Sequence, residues 1–152
     1  MLTEEEVYNG SKRWLRKNDY TVLAGQPARG VDHLPVIEIK QPSGDKGSRD
    51  AYKPDLIAYK NGLFYIVECK PGFDHGDLIK INDVLSSEDR LTNFYNELAQ
   101  YQLLRKVGYR QSIETFMHSV EGVLAFSGDE GPTCNLHKLI VSTWQGTATY
   151  IE

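Results

Sequence analysis

Cysteine is scarce, with two in 152 residues. Cys69 lies inside an apolar run and Cys134 in a Gly/Pro-containing stretch, which reads as two reduced thiols rather than a disulfide-stapled secreted scaffold. Long apolar runs are missing. None approaches the roughly 18 residues of a bilayer-spanning helix, so no membrane partner is expected. The opening residues MLTEEEVYNG carry no basic segment leading into an apolar one, which argues against a secretory signal and for a cytoplasmic protein. Positive charge is not in excess either: 17 Lys and Arg stand against 21 Asp and Glu, a net charge of −4. That excludes a chain coated with basic charge for indiscriminate nucleic-acid binding, though not a local basic face. Internal repeats and linker-like stretches are absent, so residues 1–152 read as a single domain, long enough to bury a core.

What is present is an alternation of helix and strand patterns. Thr3 followed by Glu6 fits a capping box, and Val7, Ser11, Trp14 and Leu15 give one face of a helix over roughly residues 4–18. YTVLAG (20–25) reads as a strand. LPVIEIK (34–40) alternates and reads as a second, half-exposed strand, followed by the polar loop 41–50. DLIAY and LFYIVECK flank Asn61-Gly62, a strong hairpin signal. The second of these strands is apolar on both faces, the pattern of a central strand covered on both sides. PGFDHGD then leaves the sheet. A helix is expected over 87–107, capped by Ser86 or Ser87, carrying Leu91, Phe94, Leu98, Tyr101 and Leu104 and stopped by Gly108. Later strands are expected in 120–128 and 137–152. The order predicts an α/β domain in three layers around a central mixed sheet.

The strand ends carry charges that a core strand has no use for. Side chains at i and i+2 share a face of a strand, so Glu68 and Lys70 are neighbours and Cys69 faces away. Asp55, on the other arm of the hairpin, can reach Glu68 where the register allows. Paired carboxylates repel and favour a cation, and Mg²⁺ is commonly held by one or two carboxylates together with water and substrate oxygens. The Cys69 carbonyl could add a ligand. Lys70 could position or deprotonate a water, or stabilise charge in a transition state.

Pro54-Asp55 and Glu68-Cys69-Lys70 together resemble the PD-(D/E)XK nuclease superfamily, which includes restriction-endonuclease-like and Holliday-junction-resolvase-like folds. The resemblance implies a three-layer α/β/α restriction-endonuclease-like domain and Mg²⁺-dependent hydrolysis of DNA phosphodiesters, with Mn²⁺ as a substitute metal. Asp55 and Glu68 would hold the metal and Lys70 would be the catalytic lysine. It also implies an acidic residue from the first helix, for which Glu4 is the first candidate and Glu5 the second. A similar set of letters, Asp32 with Glu38-Ile39-Lys40, lacks the Pro-Asp and the hairpin. The helix after the lysine departs from the Gln-x-x-x-Tyr of RecB-like relatives, since Gln100, Tyr101 and Gln102 lack that spacing. Asp74, His75, Asp77 and Lys80 could line the site. Lys46, Arg49 and Lys53, which lead into Asp55, are the expected DNA contacts, ahead of the basic face of the first helix formed by Lys12, Arg13, Arg16 and Lys17. No nucleotide cofactor is expected. Such nucleases often pair as homodimers, but the aromatics Tyr8, Trp144 and Tyr150, expected to be exposed, are too scattered to define an interface. The alternative reading is a non-catalytic nuclease-fold protein that binds DNA or regulates a partner.

Overall fold

The computed structural model describes residues 1–26, 33–41 and 51–152. The chain order is α1 (Glu4–Lys17), β1 (Thr21–Gly25), β2 (Leu56–Lys60), β3 (Leu63–Cys69), α2 (His75–Leu85), α3 (Glu88–Gln100), α4 (Leu103–Lys106), α5 (Ile113–Met117), β4 (Val120–Phe126), β5 (His137–Val141) and β6 (Ala148–Ile151). Among the described residues the strands form one six-stranded mixed sheet in the order β1-β2-β3-β4-β5-β6. β3 pairs antiparallel with β2 and parallel with β4, so it is central, as its two-sided apolar pattern predicts. No helix among the described residues is long and apolar enough to cross a membrane.

The hairpin register follows from its turn. Asn61 (φ 50°) and Gly62 (φ 86°) both adopt positive φ, the conformation a two-residue turn needs to match the twist of its strands. Lys60 therefore opposes Leu63 and Leu56 opposes Val67. The period-2 alternation then divides the core. Phe64 and Ile66 of β3 join Ile57, Leu124 and Phe126 in a cluster with Ile81 and Val84 of α2 and Leu91, Phe94 and Leu98 of α3. Tyr65, Val67 and Cys69 instead join Leu56, Val123 and Leu139 in a cluster with Val7, Tyr8 and Leu15 of α1. Each cluster removes many apolar side chains from water, at about 25 cal/mol per Å².

Helix α1 begins as its sequence signal predicts. The Glu6 N–H donates to Thr3 Oγ1 (3.1 Å), and the Thr3 N–H donates to Glu6 Oε1 (3.0 Å). Gly10 lets the helix lie against the β5–β6 turn, because a Cβ there would sit 2.6 Å from both the Thr143 carbonyl oxygen and Val141 Cγ1. Arg13 donates to the Trp144 carbonyl (3.0 Å) and Lys17 Nζ to the Gln145 carbonyl (3.1 Å), fastening the same turn.

Several expectations are corrected. Residues 34–40 are not a strand. Ile37 and Ile39 are buried, but among the described residues the segment makes a single bridge, Ile39 to Tyr52, and the Pro35 carbonyl takes the Gly25 N–H (3.0 Å). A helix that was not expected, α2, follows Lys70, and Asp74 caps it by accepting from the Asp77 N–H (3.0 Å). The single helix expected over 87–107 is broken at Gln102, whose φ of 61° ends one helix and starts another. Tyr8 is buried, and Tyr150 stacks on Trp14 at 5.4 Å; Trp144 is exposed, under the Arg13 guanidinium. The cysteines are both free.

Gly10→Ala tests the α1 seam. An alanine inside a helix gains up to about 1 kcal/mol of propensity over glycine. Here the new methyl meets a backbone oxygen that cannot step aside, at a strain of about 1–3 kcal/mol. A net destabilisation of up to about 2 kcal/mol is expected as a lower urea midpoint at unchanged m; a higher midpoint would show that the seam yields.

Candidate active site at the end of the hairpin

Continuing the β2–β3 register one residue past Leu56↔Val67 sets Asp55 opposite Glu68. Their carboxylates take over hydrogen bonding where the strand ladder stops. The Asp55 N–H donates to Glu68 Oε2 at 2.8 Å, and the Cys69 N–H donates to Asp55 Oδ2 at 2.8 Å. This crossed pair fixes both side chains to the backbone of the opposite strand. Glu68 is 5% exposed.

Lys70 follows directly on β3 and lies between two helix N-termini. Its Nζ is 3.6 Å from Glu4 Oε1 on α1 and 3.8 Å from Asp77 Oδ2 on α2. Asp77 is buried and is also 4.0 Å from Lys80 Nζ. Both contacts come from the first turn of their helices. Of the first-helix candidates, Glu4 reaches Lys70; Glu5 is exposed, and Glu6 is committed to its cap. Asp74 caps α2, and His75 is an exposed residue packed edge-on to Phe73.

The electrostatics are unbalanced. Four carboxylates, Glu4, Asp55, Glu68 and Asp77, surround two ammonium groups, Lys70 and Lys80, which leaves two negative charges in excess when all are ionised. Burial first, and then the charge of Asp55, pushes the Glu68 carboxyl from 4.5 up to about 9. Asp55 is raised by burial against the opposing pull of the Cys69 N–H and Lys70. Asp77 is raised by burial as well. For Lys70, burial works to lower the ammonium, and the carboxylates of Asp77, Glu4, Asp55 and Glu68 outweigh it and raise it. Tyr52 stands beside Glu68. Burial, then the charges of Glu68 and Asp55, hold its hydroxyl protonated, and that hydroxyl makes no hydrogen bond of good geometry.

The carboxylates are oxygen donors of the kind that hard divalent cations take. Two carboxyl groups locked by backbone N–H groups form an oxygen-rich pair, and a doubly charged ion would displace the proton that burial and mutual repulsion favour on Glu68. Among the described residues no three His, Cys, Asp or Glu side chains cluster to cage a metal by themselves. An ion here would rest on Asp55 and Glu68, with the Cys69 carbonyl and water or substrate oxygens completing the shell.

Of the expected DNA contacts, Lys46 and Arg49 lie outside the described residues, as does Asp32. Lys53 is described, 3.5 Å from Glu38, on a cleft of about 420 Å³ that opens onto Glu68. Two features escaped the sequence reading: Tyr52 beside Glu68, and Arg90, which lines the same cleft. The spacing Leu78, Ile81, Val84 and Leu85 after an Asp cap carried the signal for α2, the helix that delivers Asp77. No family model matches the chain, and neither does any curated protein or solved structure.

The raised carboxyls dictate a pH dependence. Below about pH 4.5, folded and unfolded chains both hold the Glu68 proton, and its contribution to stability is full. As pH rises toward 9, the unfolded chain releases that proton while the folded chain keeps it, so metal-free stability falls across this window. Urea midpoints measured in EDTA are expected to decline from pH 5 to pH 9 in the wild type and to decline less in Glu68→Gln, whose amide oxygen still accepts from Asp55. Parallel declines would mean that Glu68 is not the group responsible.

Proposed function

We propose that this protein is a Mg²⁺-dependent DNA endonuclease of the PD-(D/E)XK kind, built on a three-layer restriction-endonuclease-like domain. The observation that carries this reading is the crossed pair of Asp55 and Glu68 with Lys70 beside it, on the end of a central hairpin.

In this reading Asp55 and Glu68 hold the metal, assisted by the Cys69 carbonyl. Bound Mg²⁺, or Mn²⁺ in its place, supplies neutralisation of phosphate charge and a more acidic water. Lys70, fixed between Glu4 and Asp77, presents an ammonium to the charge that develops on the phosphate oxygens, a stabilisation that needs no reorganisation during the reaction. Glu4 and Asp77 orient the lysine, and Glu4 is near enough to share the site. The crossed hydrogen bonds keep both carboxylates in place before substrate arrives, which is what separates a working site from a loose one.

Two measurements test this. Supercoiled, linear and branched DNA should be cut with Mg²⁺ or Mn²⁺ and left intact with EDTA, and Lys70→Ala should lower the rate by on the order of 100-fold or more. Mg²⁺ should also raise the melting temperature of the wild type, but not that of Asp55→Asn/Glu68→Gln. Full cutting by Lys70→Ala would overturn the mechanism. Tight DNA binding with no cutting under any divalent ion would favour a non-catalytic nuclease-fold protein.

A further inference from the structure

Ser127 is buried at the end of β4, with 4% of its surface exposed. Its neighbours use the whole hydroxyl. The Oγ–H donates to the Pro71 carbonyl at 2.6 Å, and Oγ accepts from the Leu2 N–H at 3.0 Å. The Ser127 N–H donates to the same Pro71 carbonyl at 2.9 Å, next to the Lys70 N–H on the Ala125 carbonyl at 3.0 Å. Backbone pairing between β3 and β4 thus continues past Cys69 through Lys70 and Pro71. At its end the Ser127 hydroxyl joins a third segment, the entry to α1.

These are the segments that meet at Lys70. Pro71 follows the lysine directly. Leu2 precedes Thr3, the N-cap of α1, and Glu4 is the first residue of that helix. Glu4 Oε1 lies 3.6 Å from Lys70 Nζ, but the pair is open to water, with side chains 52% and 33% exposed. An ion pair so exposed is a weak guide to its own geometry, because it must order two long side chains against screening. The Thr3–Glu6 capping box shapes the turn but bonds only within it. The seam at Gly10 holds the helix further along. The Leu2–Ser127 hydrogen bond ties the start of α1 to the sheet, at the strand end that carries Lys70.

We infer that Ser127 is a positioning residue: its hydroxyl clasps the entry of α1 to the residue after Lys70 and so sets Glu4 beside the Lys70 ammonium. Its consequence for catalysis rests on the nuclease reading, and it adds to that reading a residue outside the set that would touch metal or phosphate. With the clasp closed, Glu4 and Lys70 are carried on backbones joined through one buried oxygen, and the ammonium is aimed before substrate arrives. With the clasp removed, the Leu2 N–H loses its acceptor, and the first turn of α1 can shift about the seam.

The test is zero-length cross-linking with a water-soluble carbodiimide, which joins a carboxylate to an amine where the two are in contact, read by mass spectrometry of tryptic peptides. In the wild type Lys70 should join the peptide that carries Glu4, and Glu4→Gln should lose that product. Ser127→Ala should lower its yield severalfold. So should Leu2→Pro, which removes the N–H and leaves Ser127 as it is. The Lys53–Glu38 product, from a pair 3.5 Å apart, should keep its yield in each variant, which shows that the fold is intact. An unchanged Glu4–Lys70 yield in both variants would overturn the inference, whatever the protein does to DNA. In the Mg²⁺ cutting assay, Ser127→Ala should lower kcat by on the order of tenfold with little change in KM. Added to Glu4→Gln it should cost nothing further, since both act through one contact. Additive losses would reduce Ser127 to a structural part of the strand end. A wild type that cuts no DNA, while both variants lose the cross-link, would remove the nuclease reading and leave the clasp standing.

Discussion

The two-residue turn at Asn61 and Gly62 fixes how β2 lies on β3, and the chemistry at the far end of the hairpin depends on that register. Side chains alternate faces along a strand, so a slip of one residue would send Glu68 toward α1 and Cys69 toward α2. Asp55 would then face a thiol. Instead the register brings two carboxylates together and gives each a backbone N–H on the opposite strand. The sheet supplies what flexible side chains lack. Its ladder holds the two strands at fixed spacing, and the apolar clusters on each face keep the ladder from moving. A pair of acids that costs stability is thus placed on the part of the molecule best able to bear it.

That cost is spread by design of the neighbourhood. Lys70 lies between Glu4 and Asp77, on two different helices, so three elements meet at one ammonium. Removing a single partner of a buried charge leaves the other uncompensated, which is why such groups are held by several contacts. The exposed member is Glu4 and the buried one Asp77, so the lysine is anchored from inside and accessible from outside.

Much of this was legible in residues. The α1 capping box, the Asn-Gly turn and the doubly apolar β3 each obey local rules that tertiary structure did not override. The failures have physical causes. Residues 34–40 alternate like a strand because Ile37 and Ile39 are buried, yet alternation reports burial and not a ladder partner. The pattern over 87–107 runs across the break at Gln102 because Leu98, Leu103 and Leu104 enter the same core on either side of it. No glycine marks that break, so nothing in the local sequence announces it. Asp55, Glu68 and Lys70 could be singled out because charge at the end of an apolar strand is anomalous. Asp77 was legible only as one of four residues after Lys70 that could line the site, and Arg90 not at all, since a basic residue on a helix is ordinary.

The tight seam at Gly10 has a mechanical consequence. Helix α1 has 14 residues, so it is a rod of about 21 Å. Gly10 is near its middle and is pressed on the β5–β6 turn, with Arg13 and Lys17 lashing the trailing half to that turn. The leading half ends at Glu4. The seam therefore acts as a fulcrum: a tilt there would swing Glu4 toward or away from Lys70 by an amount set by the length of the arm. The position of the exposed glutamate beside Lys70 is thus tied to the hairpin turn between β5 and β6.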